Sequence, residues 1–169
     1  MNLYDATVPI FTKLLANVDK WLDKAAAFAD AKKFEVDVLA TARLAPDQYT
    51  FVRQIQAACD QAKYTVAKLA GKEPPAHPDT EKTIAELRQR LHTVVNYMAT
   101  FKREDFQGAE ERSCSHPWMG GKAMRGIDYL NHLALPNFHF HLTTAYDILR
   151  HNGVDVGKMD YLVDLPFRA

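Results

Sequence analysis

GIDYLNHLALPNFHFHLTTAYDILRHNG, residues 126–153, carries four of the chain's seven histidines and decides how the rest is read. Leu130, Ala134, Asn137, Phe138, His141, Ala145 and Ile148 recur at three- and four-residue steps, which predicts an amphipathic helix over 127–151. Asn152 and Gly153 supply the stop, and Arg150 and His151 complement the negative end of the helix dipole. Asn137 and His141 fall inside the apolar stripe one turn apart, so both are predicted to face a bundle interior. Pro136 removes a backbone donor and crowds the carbonyl of His132, which predicts a kink or restart beside that pair. Two inward polar side chains next to a kink read as a pocket wall. The plainer alternative is that they satisfy buried polar groups on a neighbouring helix. His132 and His139 share another face with Thr143 and Tyr146 and read as surface or subunit-interface residues.

Three further amphipathic stretches precede this one. Over 2–31, Leu3, Ile10, Phe11, Leu14, Val18, Trp21, Leu22, Ala25 and Phe28 form one wide apolar face, with Pro9 marking a first turn or a bend. A second helix is predicted to start near Pro46 and Asp47, to bury Phe51, Val52, Ile55, Cys59, Ala62, Val66 and Leu69, and to end at Gly71. Three prolines between 74 and 78 then stiffen a connector. Asp79 or Thr80 is the expected cap of a third helix, whose apolar face runs from Ile84 to Phe101. Periodicity is lost over 102–125, where a loop or short hairpin insertion is expected. Four such helices predict an all-α antiparallel bundle forming a single domain over 1–169. Tyr161, Leu162, Val163, Leu165 and Phe167 form an apolar tail that should pack back on the bundle or on a second subunit.

Composition narrows the function classes. Twenty-one Lys and Arg balance 21 Asp and Glu, so no global field favours nucleic acid or an acidic membrane. No apolar run is long enough to span a bilayer, and no N-terminal stretch reads as a signal peptide. Cys59 and Cys114 then read as two reduced thiols, and the expectation is a cytoplasmic protein. A chain of 169 residues buries roughly 70% of its unfolded surface, enough to fold without disulfides or structural metal.

A zinc site needs three or four convergent ligands. The four-residue spacing on the last helix gives Asn137 and His141, which is one good ligand, and Cys59 sits among apolar residues as a small hydrophobe. Cys114 lies near His116, but neighbouring positions in sequence do not supply the geometry of an activated thiol. Gly120 and Gly121 lack the strand and helix context of a phosphate loop. Asp60 is expected to pair with Lys63 or reach Tyr64.

At LPNFHFHLTTAYDILRHNGVDVGKMDYL (135–162) and RLAPDQYTFVRQIQAACDQAK (43–63) the chain resembles an uncharacterised bacterial family of unknown function within the DinB/YfiT-like four-helix-bundle superfamily. The resemblance implies an up-down-down-up bundle, often a homodimer, with a pocket between the second and fourth helices. It also implies a metalloenzyme ancestry: members bind metal through one His on the second helix and an HxxxH pair on the fourth, and include hydrolases and thiol-dependent transferases. Carried over, these positions fall at Gln54, Asn137 and His141, so one imidazole survives. The expectation is a degenerate metal site and a pocket that binds a small ligand through Gln54, Asn137, His141 and Asp60, without a cofactor. The alternatives are a hydrolase or transferase with zinc or nickel on His141, and a non-catalytic dimeric interaction protein.

Overall fold

The computed structural model describes residues 2–162 and 164–167. Helix α1, Val8–Lys32, begins at Pro9 in its first turn, and Lys33 closes it in the left-handed conformation with its N–H on the Ala29 and Asp30 carbonyls. Helix α2, Phe51–Leu69, starts later than Pro46 predicts. The stretch before it is a closed turn in which Phe51 N–H donates to the Ala42 carbonyl at 2.8 Å. Gly71, at φ 69°, ends it as expected.

Helix α3, Ile84–Met98, is capped not by Asp79 or Thr80 but by Thr83. Thr83 Oγ1 accepts from Glu86 N, and the Glu86 carboxylate accepts from Thr83 N. A reciprocal cap of this kind contributes about 1 kcal/mol. Asp37, from the short 3-10 turn Val36–Thr41, accepts a further N–H, that of Ile84.

Helix α4 is continuous over 126–151 but changes pitch. An α-helical turn, Gly126–Tyr129, passes into a π-helical segment, Leu130–Ala134, and returns to α-helix over Leu135–His151. The wide turn sits where Pro136 would otherwise collide with the His132 carbonyl, so the predicted kink takes the form of a π-bulge.

Contacts fix the helix directions. Arg88 of α3 binds Asp19 and Asp23 of α1, while His92, one turn further on, meets Asp19, so α1 and α3 are antiparallel. Phe11 packs on Phe138 and Trp21 on Tyr146, so α1 and α4 run parallel. Lys72, just past α2, lies over the ring of Phe101, just past α3, so these two are parallel as well. The up-down-down-up bundle is the arrangement observed, and residues 70–83 return along α2 to make it.

The insertion is ordered by a two-residue hairpin, Ser113–Cys114 against Met124–Arg125. The tail forms a short helix, α5, Lys158–Leu162, on α1 and α4. Trp21 Nε1–H donates to the Asp160 carbonyl at 3.1 Å, Asn17 Nδ2–H donates to the Tyr161 carbonyl at 2.9 Å, and the Tyr161 ring stacks on Trp21. Leu162 belongs to this helix, Leu165 and Phe167 are exposed, and Val163 lies outside the described residues. Among the described residues no helix is long and apolar enough to cross a membrane.

Candidate functional site

A cleft of about 810 Å3 lies between α2 and α4. The α2 wall presents Arg53, Gln61 and Lys68, the α4 wall Asn137 and His141. The connector closes one side with Pro74 and Pro75, and the insertion supplies His116 and Trp118 at the rim.

Because α2 and α4 are antiparallel, their polar residues meet as two rungs. His141 Nδ1 lies 2.7 Å from Gln54 Oε1, and Asn137 Nδ2–H donates to Gln61 Oε1 at 2.7 Å. Gln54, Asn137 and His141 therefore do not converge on one point. Asn137 is drawn to Gln61, seven residues from Gln54 on the same face of α2.

The network has a fixed polarity. Gln54 Nε2–H faces the Tyr49 carbonyl at 3.5 Å, so Gln54 turns its oxygen to His141 and the imidazole proton sits on Nδ1. His141 Nε2 is left as an unprotonated acceptor, with no protein partner among the described residues and not sealed from the cleft. In the second rung, Gln61 Nε2–H donates to Thr65 Oγ1 at 2.9 Å and to Tyr129 OH at 3.3 Å. Tyr129 is fully buried, which pushes its phenol up to about 12, and its OH lies 3.0 Å from His116 Nε2. Asn137 Oδ1 is left as a second acceptor at the cleft.

Asp60 lines the cleft, but its Oδ1 takes Lys63 Nζ and Arg90 Nη2, each at 2.8 Å. Lys63 and Arg90 are buried. Arg90 also grips Asp79 and Glu81 of the connector, and Lys63 Nζ is 3.5 Å from His77 Nδ1. Asp60 thus belongs to an ionic cluster that straps the connector onto α2 and α3. Asp79, expected as a helix cap, pairs with Arg53 and Arg90 instead.

His132, His139 and the two cysteines stand apart from Asn137 and His141. His132 is exposed, and the His139 face is covered by the protein's own tail, with His139 Nδ1 3.1 Å from Tyr161 OH. Cys59 is sealed in the core, where burial pushes its thiol up to about 12. Burial likewise raises Cys114, against a thiolate role.

The residues present do not fit a tetrahedral zinc or nickel centre. Gln54 Oε1 is engaged by His141 Nδ1–H, and the Asp60 carboxylate is held through Oδ1 by two buried cations, which leaves one imidazole nitrogen, one amide oxygen and the already neutralised Asp60 carboxylate, without the convergent His or Cys ligands such a centre needs. Among the described residues no three His, Cys, Asp or Glu side chains are grouped to hold a metal.

Four histidines are held below their usual pKa, each first by burial. Arg53 adds to this at His141, Lys68 at His116, and Lys63 with Arg90 at His77, while at His139 burial acts alone. A depressed histidine means that below about pH 6.5 the unfolded chain takes up protons the folded chain refuses. Stability is therefore full above that pH and falls as the pH drops through the lowered folded values. Urea midpoints should decrease from pH 7.5 to pH 5, before carboxylates titrate, and equal midpoints at the two pH values would contradict this electrostatic picture.

Among known proteins, the sequence family described as Domain of unknown function (DUF1993) matches residues 3–162. The chain is similar to a solved structure described as the crystal structure of a DinB family member protein from Shewanella denitrificans at 1.83 Å resolution. The two are 49% identical, the match covers 99% of this chain and 95% of that one, and the TM-score is 0.95. No curated protein matches.

Proposed function

The chain belongs to the DUF1993 family and folds as a DinB-like four-helix bundle, and on that premise we propose that its cleft binds a small molecule through His141 and Asn137 without a tightly held metal. The observation that carries this reading is the 2.7 Å contact between His141 Nδ1 and Gln54 Oε1. In metal sites a histidine's second nitrogen is oriented by a similar bond. Here the orienting group occupies the position from which a second ligand would come, so His141 is aimed into the cleft as a lone acceptor. Its neutral ring, with Asn137 Oδ1 a turn away, suits hydrogen-bond donors on a bound molecule.

Elemental analysis of protein purified without a histidine tag tests the reading. Zinc and nickel should be far below one atom per chain, and added metal should leave the melting temperature unchanged, since only a ligand bound by the folded state raises it. Near-stoichiometric metal that disappears in His141→Ala would overturn the proposal in favour of metal-dependent chemistry on His141.

A further inference from the structure

We infer that the molecule taken by the cleft is a neutral, planar ring bearing two N–H or O–H donors. This rests on the reading of the cleft as a small-molecule site and names the class of ligand that its chemistry would select.

Three observations converge. The first is the acceptor pair: His141 Nε2 and Asn137 Oδ1 are open on side chains one helical turn apart on the α4 wall, so one bound molecule can donate to both. The second is charge. Arg53 and Lys68 on the cleft are matched by Asp60 and Glu73, and Arg53 and Asp60 are further tied into ion pairs, so the lining makes no net demand for an anion or a cation.

The third is flat aromatic surface. The Tyr49 ring lies within 9° of parallel to His141, with centroids 6.2 Å apart. Trp118 lies within 13° of parallel to His116 at 5.8 Å and is 68% exposed. A tryptophan left in water at the mouth of a cleft, already stacked on one face, offers the other face to a planar partner.

Nuclear magnetic resonance titration of the full chain tests the inference, with resorcinol as the probe. The comparison compound is 1,3-dimethoxybenzene, which keeps the ring and removes the donors. Resorcinol should give saturable shifts at the Trp118 indole N–H and the His141 ring, with an affinity at least fivefold higher than that of the dimethoxy compound. Asn137→Ala should remove most of that advantage, and Trp118→Ala, at an exposed position that does not support the core, should weaken both compounds. Equal binding of the two compounds, or no saturable shift with resorcinol, overturns the inference. If glucose shifts the same signals and resorcinol does not, the ligand class is wrong while the small-molecule reading stands. Stoichiometric zinc on His141 overturns both.

Discussion

Gly126→Ala is expected to lower stability by about 3 kcal/mol, at the upper end of the usual cost of overpacking. A Cβ at this position would lie 1.9 Å from the Ala109 carbonyl oxygen and 3.0 Å from Leu69 Cδ2. The first contact is with backbone, so no rotamer change relieves it. The segment must move, yet it is pinned by the Ile127 N–H on the Glu110 carbonyl and by the buried Phe106 and Ala109. For a chain of this length the loss corresponds to roughly 6–12 °C in melting temperature. A melt within about 2 °C of the parent would show that the insertion yields more easily than its packing implies. Because the same insertion carries His116 and Trp118, the variant should also broaden the Trp118 indole signal.

Arg90→Met is expected to cost about 3 kcal/mol, measured by urea unfolding at pH 7.5. The Arg90 side chain is 2% exposed and bonds to Asp60, Asp79 and Glu81, whose side chains are between 13% and 27% exposed. Removing one member of a buried ionic group leaves the others without their partner, a loss of about 3–5 kcal/mol. The partial exposure of the carboxylates places this case at the lower end. Lys63 would still hold Asp60, but Asp79 would keep only Arg53, and Glu81 only the Gln56 amide. The connector should loosen, and with it the Pro74 and Pro75 side of the cleft. A loss under about 1 kcal/mol would mean that the cluster is already well hydrated and does not fasten the connector.

The helices were legible because apolar periodicity survives any tertiary detail. The Trp21, Ile55, Leu87 and Phe138 faces predicted from spacing are all buried. Their starting points were less so. Pro46 is a good first-turn residue, but here it serves a turn before α2, and the Thr83 to Glu86 signature was the better signal for α3 than Asp79 or Thr80. Pro136 announced a local irregularity, and the π-bulge is its physical form.

At the site, His141 Nδ1 meets Gln54 Oε1 across the α2–α4 seam. Asn137 finds Gln61, a partner that a reading of one helix at a time does not reveal, although the equal-facing positions 54 and 61 on α2 carried the hint. His116 and Trp118 were not legible as cleft residues, nor Tyr129 as the buried link between His116 and Gln61. The insertion has no periodicity, and only the folded hairpin brings it over α2 and α4. The ionic cluster was half visible: Asp60 to Lys63 follows from spacing, but Arg90 and the connector carboxylates join it only through tertiary contact.

Gln54 holds His141 as a neutral ring with its proton on Nδ1 and its Nε2 lone pair turned to the cleft. Long-range proton–nitrogen correlation spectra of the histidine rings at pH 7.5 read that state directly. The expected result for His141 is a protonated Nδ1 and an unprotonated Nε2, reverting toward the solution tautomer mixture in Gln54→Ala. A His141 that is protonated on Nε2, or doubly protonated at that pH, would contradict it.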